Sequence, residues 1–229
     1  MLDKLKNIFT KNTESLEPVQ ETNEVDDFIE SVKENPDIFA TEYLLNDPRI
    51  VGWTSVNEQF TIYSAFTMFY DAKSQSVLDV GCGRADLYGY LTNVYENPYL
   101  RYYGVDENPN MVSLAKSKYP NVQVEHINIL DMPMEIKYDW VIASGLFNYP
   151  KNNDIEYVKT IIDSMMQKSS NGIAFNFITS LPDDVSDEDR ESLNVYDLGF
   201  WVNYLVSKYQ KVIVRSDYMI GDATIFIFN

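Results

Sequence analysis

From Ser76 onwards, short apolar runs alternate with amphipathic stretches along the chain. The runs are rich in β-branched and aromatic residues, which is typical of strands, and they lie at Ser76–Val80, Arg101–Asp106, Val122–Ile127, Asp139–Ser144 and Gly172–Thr179. Between them apolar residues recur at helical spacing, as at Leu87, Leu91 and Val94. Strands that alternate with helices predict right-handed βαβ units and a parallel sheet covered by helices on both faces.

The C-terminal end departs from this alternation. The strand-like runs "KVIVRSDY" and "ATIFIFN" follow a predicted helix near Leu198–Ser207 and are separated only by "MIGD". A connection that short cannot contain a crossover helix, so the two runs predict an antiparallel hairpin. Helix boundaries are also indicated: Asn108 before Pro109 predicts a start, and Asn171 before Gly172 predicts an end.

The region before Ser76 predicts helices behind a polar tail. Residues 11–24 are polar and acidic, so residues 1–24 are expected to be a flexible tail. Helical spacing starts at Val25, continues after Pro36, and resumes at Ser55, whose distance to Glu58 fits a capping box. We therefore expect one domain over 25–229, with a helical extension at 25–71 and the core at 76–229.

Charge and composition exclude several classes of partner. The net charge of −17 argues against nucleic acid and against anionic membrane surfaces, because both are bound largely through Lys and Arg. One cysteine cannot form an internal disulfide, and one histidine without a Cys/His cluster predicts no metal site. The chain has no run of about 18 apolar residues that would span a membrane, and we expect a cytoplasmic protein.

Two glycines follow the first predicted strand, in "SVLDVGCGRADLYGYL". Gly81 and Gly83 would let the chain turn tightly and let a ligand lie against bare backbone, although a turn without a ligand is the simpler alternative. A dinucleotide site is disfavoured because Asp86 stands at the sixth position of the G-x-G-x-x-G pattern, where it would repel a pyrophosphate. With Asp79 two residues before Gly81, the loop suits a ligand that carries a positive charge.

The tips of the next strands supply further polar groups. Asp106 lies 23 residues after Gly83, where an acid can accept hydrogen bonds from both ribose hydroxyls; by itself it could equally be a helix cap. Asn128 ends the third predicted strand, where its amide can contact an adenine edge while Ile129 packs on the ring. The fourth strand delivers "SGLFNYP" to the same edge of the sheet.

These residues resemble those of class I S-adenosylmethionine-dependent methyltransferases. The resemblance covers roughly Trp53 to the C-terminus, and its most specific parts are "VLDVGCGRADL" and "GVDENPNMVSLAK". The segment "GWTSVNEQFTIY" is further similar to uncharacterised bacterial and phage members, many of which carry arginine where this chain has Ile62. The family implies an α/β fold: a Rossmann-like, doubly wound, seven-stranded sheet, mostly parallel with an antiparallel last strand, preceded here by N-terminal helices.

The resemblance also implies S-adenosylmethionine as the cofactor. The residues expected to bind it are Asp79, Gly81, Cys82, Gly83, Asp106, Glu107, Met111, Asn128, Ile129, Ser144 and Gly145. The candidates for the acceptor side are Trp53, Gln59, Phe147, Asn148, Tyr149 and Asn176. Ordinary packing in the core is the alternative role for the aromatic residues among them. No general base is identified, since methyl transfer from a sulfonium needs one only if the acceptor arrives protonated.

The sequence favours a small-molecule acceptor, methylated at oxygen or nitrogen. Two alternatives stay open: a protein or peptide methyltransferase whose acidic rim attracts a basic target, and a methyltransferase-like module that binds cofactor or partner without catalysis. The acidic segment "SLPDDVSDEDRESLNVYDLGF" is either a solvated loop or a lid over the acceptor. The oligomeric state is not indicated by the sequence.

Overall fold

The computed structural model describes residues 43–71, 75–95, 100–149, 155–183 and 185–229. Its seven strands are β1 (Ser76–Val80), β2 (Arg101–Asp106), β3 (Val124–His126), β4 (Tyr138–Ala143), β5 (Ser169–Ile178), β6 (Val212–Arg215) and β7 (Asp222–Phe228). They form one sheet in the order β3-β2-β1-β4-β5-β7-β6. The first five strands run parallel, and β7 is antiparallel to both of its neighbours. The predicted doubly wound sheet and its terminal hairpin are confirmed.

Helices cover both faces of the sheet. They are α1 (Val56–Phe66), α2 (Asp86–Tyr95), α3 (Pro109–Lys118), α4 (Ile155–Lys168), α5 (Asp187–Ser192) and α6 (Leu198–Tyr209). Because side chains alternate along a strand, Val77 packs with α1, α2 and α3, whereas Leu78 packs with α4 and α6 on the opposite face. None of the helices in the described ranges is both long and apolar enough to cross a membrane.

The helix starts follow the capping residues in the sequence. Ser55 caps α1 by accepting a hydrogen bond from Glu58 N at 3.2 Å. The predicted capping box is only half formed, because the Glu58 carboxylate bonds to Thr54 N at 2.7 Å rather than to Ser55 N. Asn108 caps α3 as predicted, with its side chain accepting from Asn110 N at 2.8 Å.

One predicted boundary is wrong. Asn171 and Gly172 do not end a helix; α4 ends at Lys168, and both residues lie inside β5. Gly172 is needed there for close packing, since a Cβ at this position would stand 2.4 Å from the carbonyl oxygen of Ile227 on β7. Glycine therefore marks a close approach of strands here and not a left-handed turn.

The predicted tail at residues 1–24 and the predicted helices up to residue 42 lie outside the described residues. Residues 43–46 are helical, in agreement with the end of the helix predicted after Pro36. The third predicted strand is shorter than expected, covering Val124–His126 instead of Val122–Ile127.

A buried ion-pair network joins the start of α2 to three other segments. Asp86 accepts hydrogen bonds from Arg84 Nε at 2.9 Å, Lys118 Nζ at 2.6 Å and Gln59 Nε2 at 3.1 Å. Arg84 is 1% exposed, and its other contact is the carbonyl oxygen of Leu44 at 2.8 Å. The sequence places Asp86 near a ligand, but the network encloses it and gives it a structural role.

We predict that Arg84→Met lowers the free energy of unfolding by about 2–4 kcal/mol, because it leaves part of the Asp86 charge and the Leu44 carbonyl buried without a partner. Urea denaturation would measure the change as a lower midpoint at an unchanged slope. The control is Arg101→Met, since Arg101 is 58% exposed and its pair with Asp139 spans 3.3 Å. Equal effects of the two substitutions would contradict a structural role for the network.

Candidate functional site

The glycine loop connects β1 to α2 in a left-handed conformation. Gly81 and Gly83 have φ values of 69° and 52°, and Ala85 has a φ of 60°. The N–H groups of Gly81 and Cys82 both donate to the carbonyl oxygen of Val105, at 2.9 and 3.0 Å. The loop is thus bound to the end of β2, with the backbone of its two glycines partly exposed.

Asp106 holds this loop from the tip of β2. Its Oδ2 accepts a hydrogen bond from Gly83 N and its Oδ1 one from Asn108 N, both at 2.8 Å. A carboxylate can accept several hydrogen bonds at once, so Asp106 has the chemistry to bind ligand hydroxyls as well as the two main-chain N–H groups. Asp106 does not cap α3, because Asn108 occupies that position.

Asp79 lies beneath the loop, with 2% of its surface exposed. Burial raises the pKa of its carboxyl to about 7, an effect opposed by the hydrogen bond from Tyr102 Oη and reinforced by the charges of Asp106 and Asp86. The Tyr102 bond measures 2.7 Å. A positively charged ligand group beside Asp79 would favour its ionised form.

The third strand tip places its polar groups at the surface. Asn128 Nδ2 donates to Glu107 Oε1 at 2.6 Å, and Asn128 Oδ1 accepts from Leu130 N at 2.8 Å. Ile129 is buried beside them, and Met111 packs partly buried against the cluster that includes Leu114. His126, the single histidine, is exposed and lies against the Glu107 carbonyl oxygen at 2.9 Å.

The fourth strand ends in a loop, residues 144–149, that reaches over the glycine loop. Gly145 has a φ of 70°, and its N–H donates to Asn176 Oδ1 at 2.8 Å. Leu146 lies so close to Gly81 that a Cβ on Gly81 would stand 2.8 Å from Leu146 Cδ1. The left-handed backbone at position 81 favours glycine, and a larger residue would also displace the flexible end of the Leu146 side chain.

Asn176 connects this loop to the last strand. Its Nδ2 donates to Asp222 Oδ2 at 2.7 Å, and Tyr218 Oη donates to the other oxygen of the same carboxylate. Burial raises the pKa of Asp222 to about 6; the bonds from Tyr218 and Asn176 oppose that shift, and the charge of Glu58 adds to it. The sequence analysis missed Asp222 and Tyr218, although an acid at the start of an apolar terminal strand was a visible signal.

A second group of residues that the sequence did not indicate clamps the 144–149 loop. Asn194 Nδ2 donates to the carbonyl oxygens of Phe147 at 3.0 Å and Tyr149 at 2.6 Å, while Asn194 N donates to that of Asn148 at 2.8 Å. Tyr196 Oη also donates to the Phe147 carbonyl, at 2.7 Å. The end of the acidic segment after β5 is therefore packed structure that fixes three successive carbonyl groups.

The residues expected on the acceptor side are divided by the structure. Trp53 and Tyr149 lie at the loop: a Cβ on Gly145 would stand 3.4 Å from Trp53 Cζ2, and Tyr149 is 40% exposed. Phe147 is fully buried against Phe175 and Phe177, so it belongs to the core and cannot contact an acceptor in this conformation. The same holds for Gln59, whose amide lies in the Asp86 network, because it is 3% exposed.

Comparisons with known proteins agree with this geometry. Residues 77–168 match a family model described as "Methyltransferase domain". The protein 235L of Invertebrate iridescent virus 6, which is provisionally named a methyltransferase, is 29% identical to this chain over 99 residues. The aligned region covers 43% of this chain and 36% of that protein. The chain spans about a third to a half of the length of the curated relatives it matches.

Solved structures share the fold at low sequence identity. The N-methyltransferase NodS from Bradyrhizobium japonicum WM9, in complex with S-adenosyl-L-homocysteine, is 15% identical with a TM-score of 0.55, over 83% of this chain and 96% of that one. The plantazolicin methyltransferase BpumL, in complex with a triazolic desmethylPZN analog and S-adenosylhomocysteine, is also 15% identical, with a TM-score of 0.53 over 91% and 100%.

The glycine loop and the carboxylates around it thus lie within the matched segment and on a sheet of the matching topology. Residues 77–168 therefore match a methyltransferase domain, and the chain shares the fold of solved methyltransferase structures.

Proposed function

We propose that the chain binds S-adenosylmethionine at the glycine loop and transfers its methyl group to a small-molecule acceptor, at oxygen or nitrogen. The observation that carries the proposal is the arrangement of two carboxyl groups around the loop. Asp79 lies buried beneath Gly81, and Asp106 holds Gly83 from the neighbouring strand tip. The S-adenosylhomocysteine in the NodS structure supports the same ligand class for this fold.

The residues fit the parts of that molecule. Asp79 would face its ammonium group, and the bare backbone of Gly81, Cys82 and Gly83 would lie along its methionine part. Asp106 would accept hydrogen bonds from the ribose hydroxyls. At the third strand tip, Asn128 and Ile129 would contact the adenine, with Glu107 and Met111 beside them and Ser144 and Gly145 opposite.

The chemistry requires little more than positioning. A sulfonium supplies an activated methyl group, and in-line displacement is accelerated when the acceptor is held close, aligned and shielded from water. Leu146 already covers the loop, and the clamp formed by Asn194 and Tyr196 holds the neighbouring main chain in one shape. These contacts give the acceptor side the rigidity that such positioning needs.

A small molecule is favoured over nucleic acid by the net charge of −17, since phosphates would be repelled. A protein or peptide acceptor is the second candidate, because the acidic charge of the chain would attract a basic target. The location that we propose for the protein, the cytoplasm, follows from composition alone.

We predict that calorimetric titration detects micromolar binding of S-adenosylmethionine and S-adenosylhomocysteine, and that Asp106→Ala weakens both by about 1–3 kcal/mol. The affinity would fall for two reasons: the ribose hydroxyls would lose their hydrogen-bond acceptor, and Gly83 N–H would lose the bond that anchors the loop. The control is Glu156→Ala on α4, whose side chain is 81% exposed and should leave the affinity unchanged. Absence of binding by the unaltered chain would refute catalysis and leave a partner-binding module.

Asp79 gives the binding a specific pH dependence. Because the pKa of Asp79 is raised to about 7, this carboxyl takes up a proton as the pH falls, and its attraction for an ammonium group is lost. We expect the affinity for S-adenosylmethionine to fall between about pH 7 and 5.5, a window in which an α-amino group is mostly protonated. In Asp79→Asn the affinity should be lower than in the unaltered chain at pH 7 and flat across this window, so that the two affinities converge towards about pH 5.5; a slope that persists would exclude Asp79 as its source.

The same substitution should stabilise the protein. Burial raises the pKa of Asp79 from the ordinary aspartate value of 3.8 to about 7, so this carboxyl makes folding less favourable as the pH rises through that range. Asparagine removes this loss and can still accept the Tyr102 bond. We expect Asp79→Asn to raise the free energy of unfolding at pH 8 by about 1–3 kcal/mol, measured by urea denaturation; an unchanged or lower value would contradict it.

A further inference from the structure

Two buried polar atoms in the described ranges have no hydrogen-bond partner: Ser144 Oγ and Asn148 Oδ1. Both lie in the loop at the tip of β4, on either side of Gly145. A buried acceptor without a partner costs free energy, so such atoms are rare in folded proteins and each needs an explanation, of which a ligand that completes the bond is one. Their coincidence in one six-residue loop, above the glycine loop, indicates a ligand there.

Asn148 cannot relieve this cost by moving its main chain. Its carbonyl oxygen is held by Asn194 N at 2.8 Å, and its own N–H donates to the Gly145 carbonyl at 3.1 Å. The carbonyl groups on both sides of it are held by Asn194 Nδ2. The clamp therefore fixes a side chain that is 8% exposed and carries an oxygen without a donor.

Trp53 and a buried carboxylate are both joined to Gly145, in the same loop as Asn148. A Cβ at Gly145 would stand 3.5 Å from Asn148 Nδ2 and 3.4 Å from Trp53 Cζ2, so Trp53 lies against the same glycine. Asn176 accepts a hydrogen bond from Gly145 N and donates one to the Asp222 carboxylate. The negative charge of Glu58 further raises the pKa of Asp222. No cation pairs with Asp222 among the described residues.

We propose that Asn148 Oδ1 accepts a hydrogen bond from the N–H of the methyl acceptor, so that the substrate is a primary or secondary amine and the reaction is N-methylation. The inference rests on the proposed function and narrows it from oxygen or nitrogen to nitrogen. The acidic groups near the loop and the net charge of −17 attract an ammonium ion from solution.

The choice of nitrogen follows from what each nucleophile carries when it attacks. A neutral amine attacks with its lone pair and keeps an N–H, whose bond to Asn148 Oδ1 strengthens as the nitrogen becomes positive. An alkoxide or phenolate has no proton to donate, and its negative oxygen would be repelled by the amide oxygen. Asn148 therefore stabilises the transition state for nitrogen and opposes the one for oxygen.

The bonds and charges balance without a further reactant. The amine lone pair forms the N–CH₃ bond while the S–CH₃ bond breaks and its electron pair stays on sulfur. The sulfonium becomes a neutral thioether, and the nitrogen becomes an ammonium that releases its proton to water. An amine that arrives protonated first loses one proton to solvent, so no side-chain base is required.

The test compares matched compounds on the full chain. Amines, alcohols and thiols with the same carbon skeletons, such as benzylamine, benzyl alcohol and benzyl mercaptan, are incubated with S-[methyl-³H]adenosylmethionine, and the methylated atom is identified by mass spectrometry. In parallel, saturation-transfer NMR measures their binding to the complex with S-adenosylhomocysteine, and calorimetry measures the cofactor affinity.

We expect amines to bind and be methylated, and the matched alcohols and thiols not to be. Asn148→Ala should lower kcat/KM for the amine about 10- to 100-fold, as loss of a charge-assisted hydrogen bond predicts, with the cofactor affinity changed less than about twofold. Asn148→Asp keeps an acceptor oxygen and should keep amine turnover. The matched control is Asn203→Ala, an exposed asparagine on α6.

Other outcomes separate the two proposals. Failure to bind S-adenosylmethionine would overturn the proposed function itself. Three outcomes would overturn only the role assigned to Asn148, provided that the cofactor binds. They are methylation of alcohols, failure of amines to bind or be methylated, and full amine turnover in Asn148→Ala. Loss of amine turnover in Asn148→Asp would show that the amide nitrogen, and not the oxygen, makes the contact, and would also overturn it.

Discussion

The site depends on the hydrogen bond between the Asp106 carboxylate and Gly83 N–H, at 2.8 Å. It closes the end of β2 onto the loop that follows β1, and the second oxygen of the same carboxylate holds the turn into α3. The parallel register that pairs Val80 with Val105 brings the two strand ends together. One side chain thus sets the positions of two loops at the same edge of the sheet.

The second constraint is a conflict between stability and binding at Asp79. A buried carboxyl with one hydrogen bond from Tyr102 is most stable when neutral, and its pKa is accordingly raised to about 7. A cationic ligand requires the opposite charge state. Burial and the nearby carboxylates of Asp106 and Asp86 would strengthen the attraction of Asp79 for such a ligand. The same features destabilise the negative charge of Asp79 in the free protein.

Much of the fold was predictable because strand tips and helix caps are local signals. Three of these signals depend on short stretches of sequence. They are the strand and glycine loop from Val77 to Gly83, the acid at Asp106 at the end of the next strand, and the helix start at Asn108–Pro109. The errors concern contacts between distant segments. The approach of Ile227 that requires Gly172, and the burial of Phe147 among Phe175 and Phe177, cannot be read from periodicity.

The sequence indicates the residues around the glycine loop, whereas it does not indicate the side chains that hold the 144–149 loop. Asn194 lies 45 residues from the Tyr149 carbonyl that it binds, and Asp222 lies 46 residues from Asn176. No pattern within one segment indicates such pairs, so the acidic stretch after β5 could equally be read as a solvated loop. The role of Asp86 escapes the sequence for the same reason, since its partners Lys118 and Gln59 come from α3 and α1.

The polar chain from Gly145 through Asn176 to Asp222 crosses three adjacent strands, and its last member comes from β7. The segment that matches the family model stops at residue 168, before β5, the clamp and the terminal hairpin. The side chains that support the 144–149 loop, Asn176, Asn194, Tyr196 and Asp222, are therefore encoded apart from the glycine loop. Substitutions at these four positions would change the shape of the loop at the tip of β4 while the glycine loop stays unchanged.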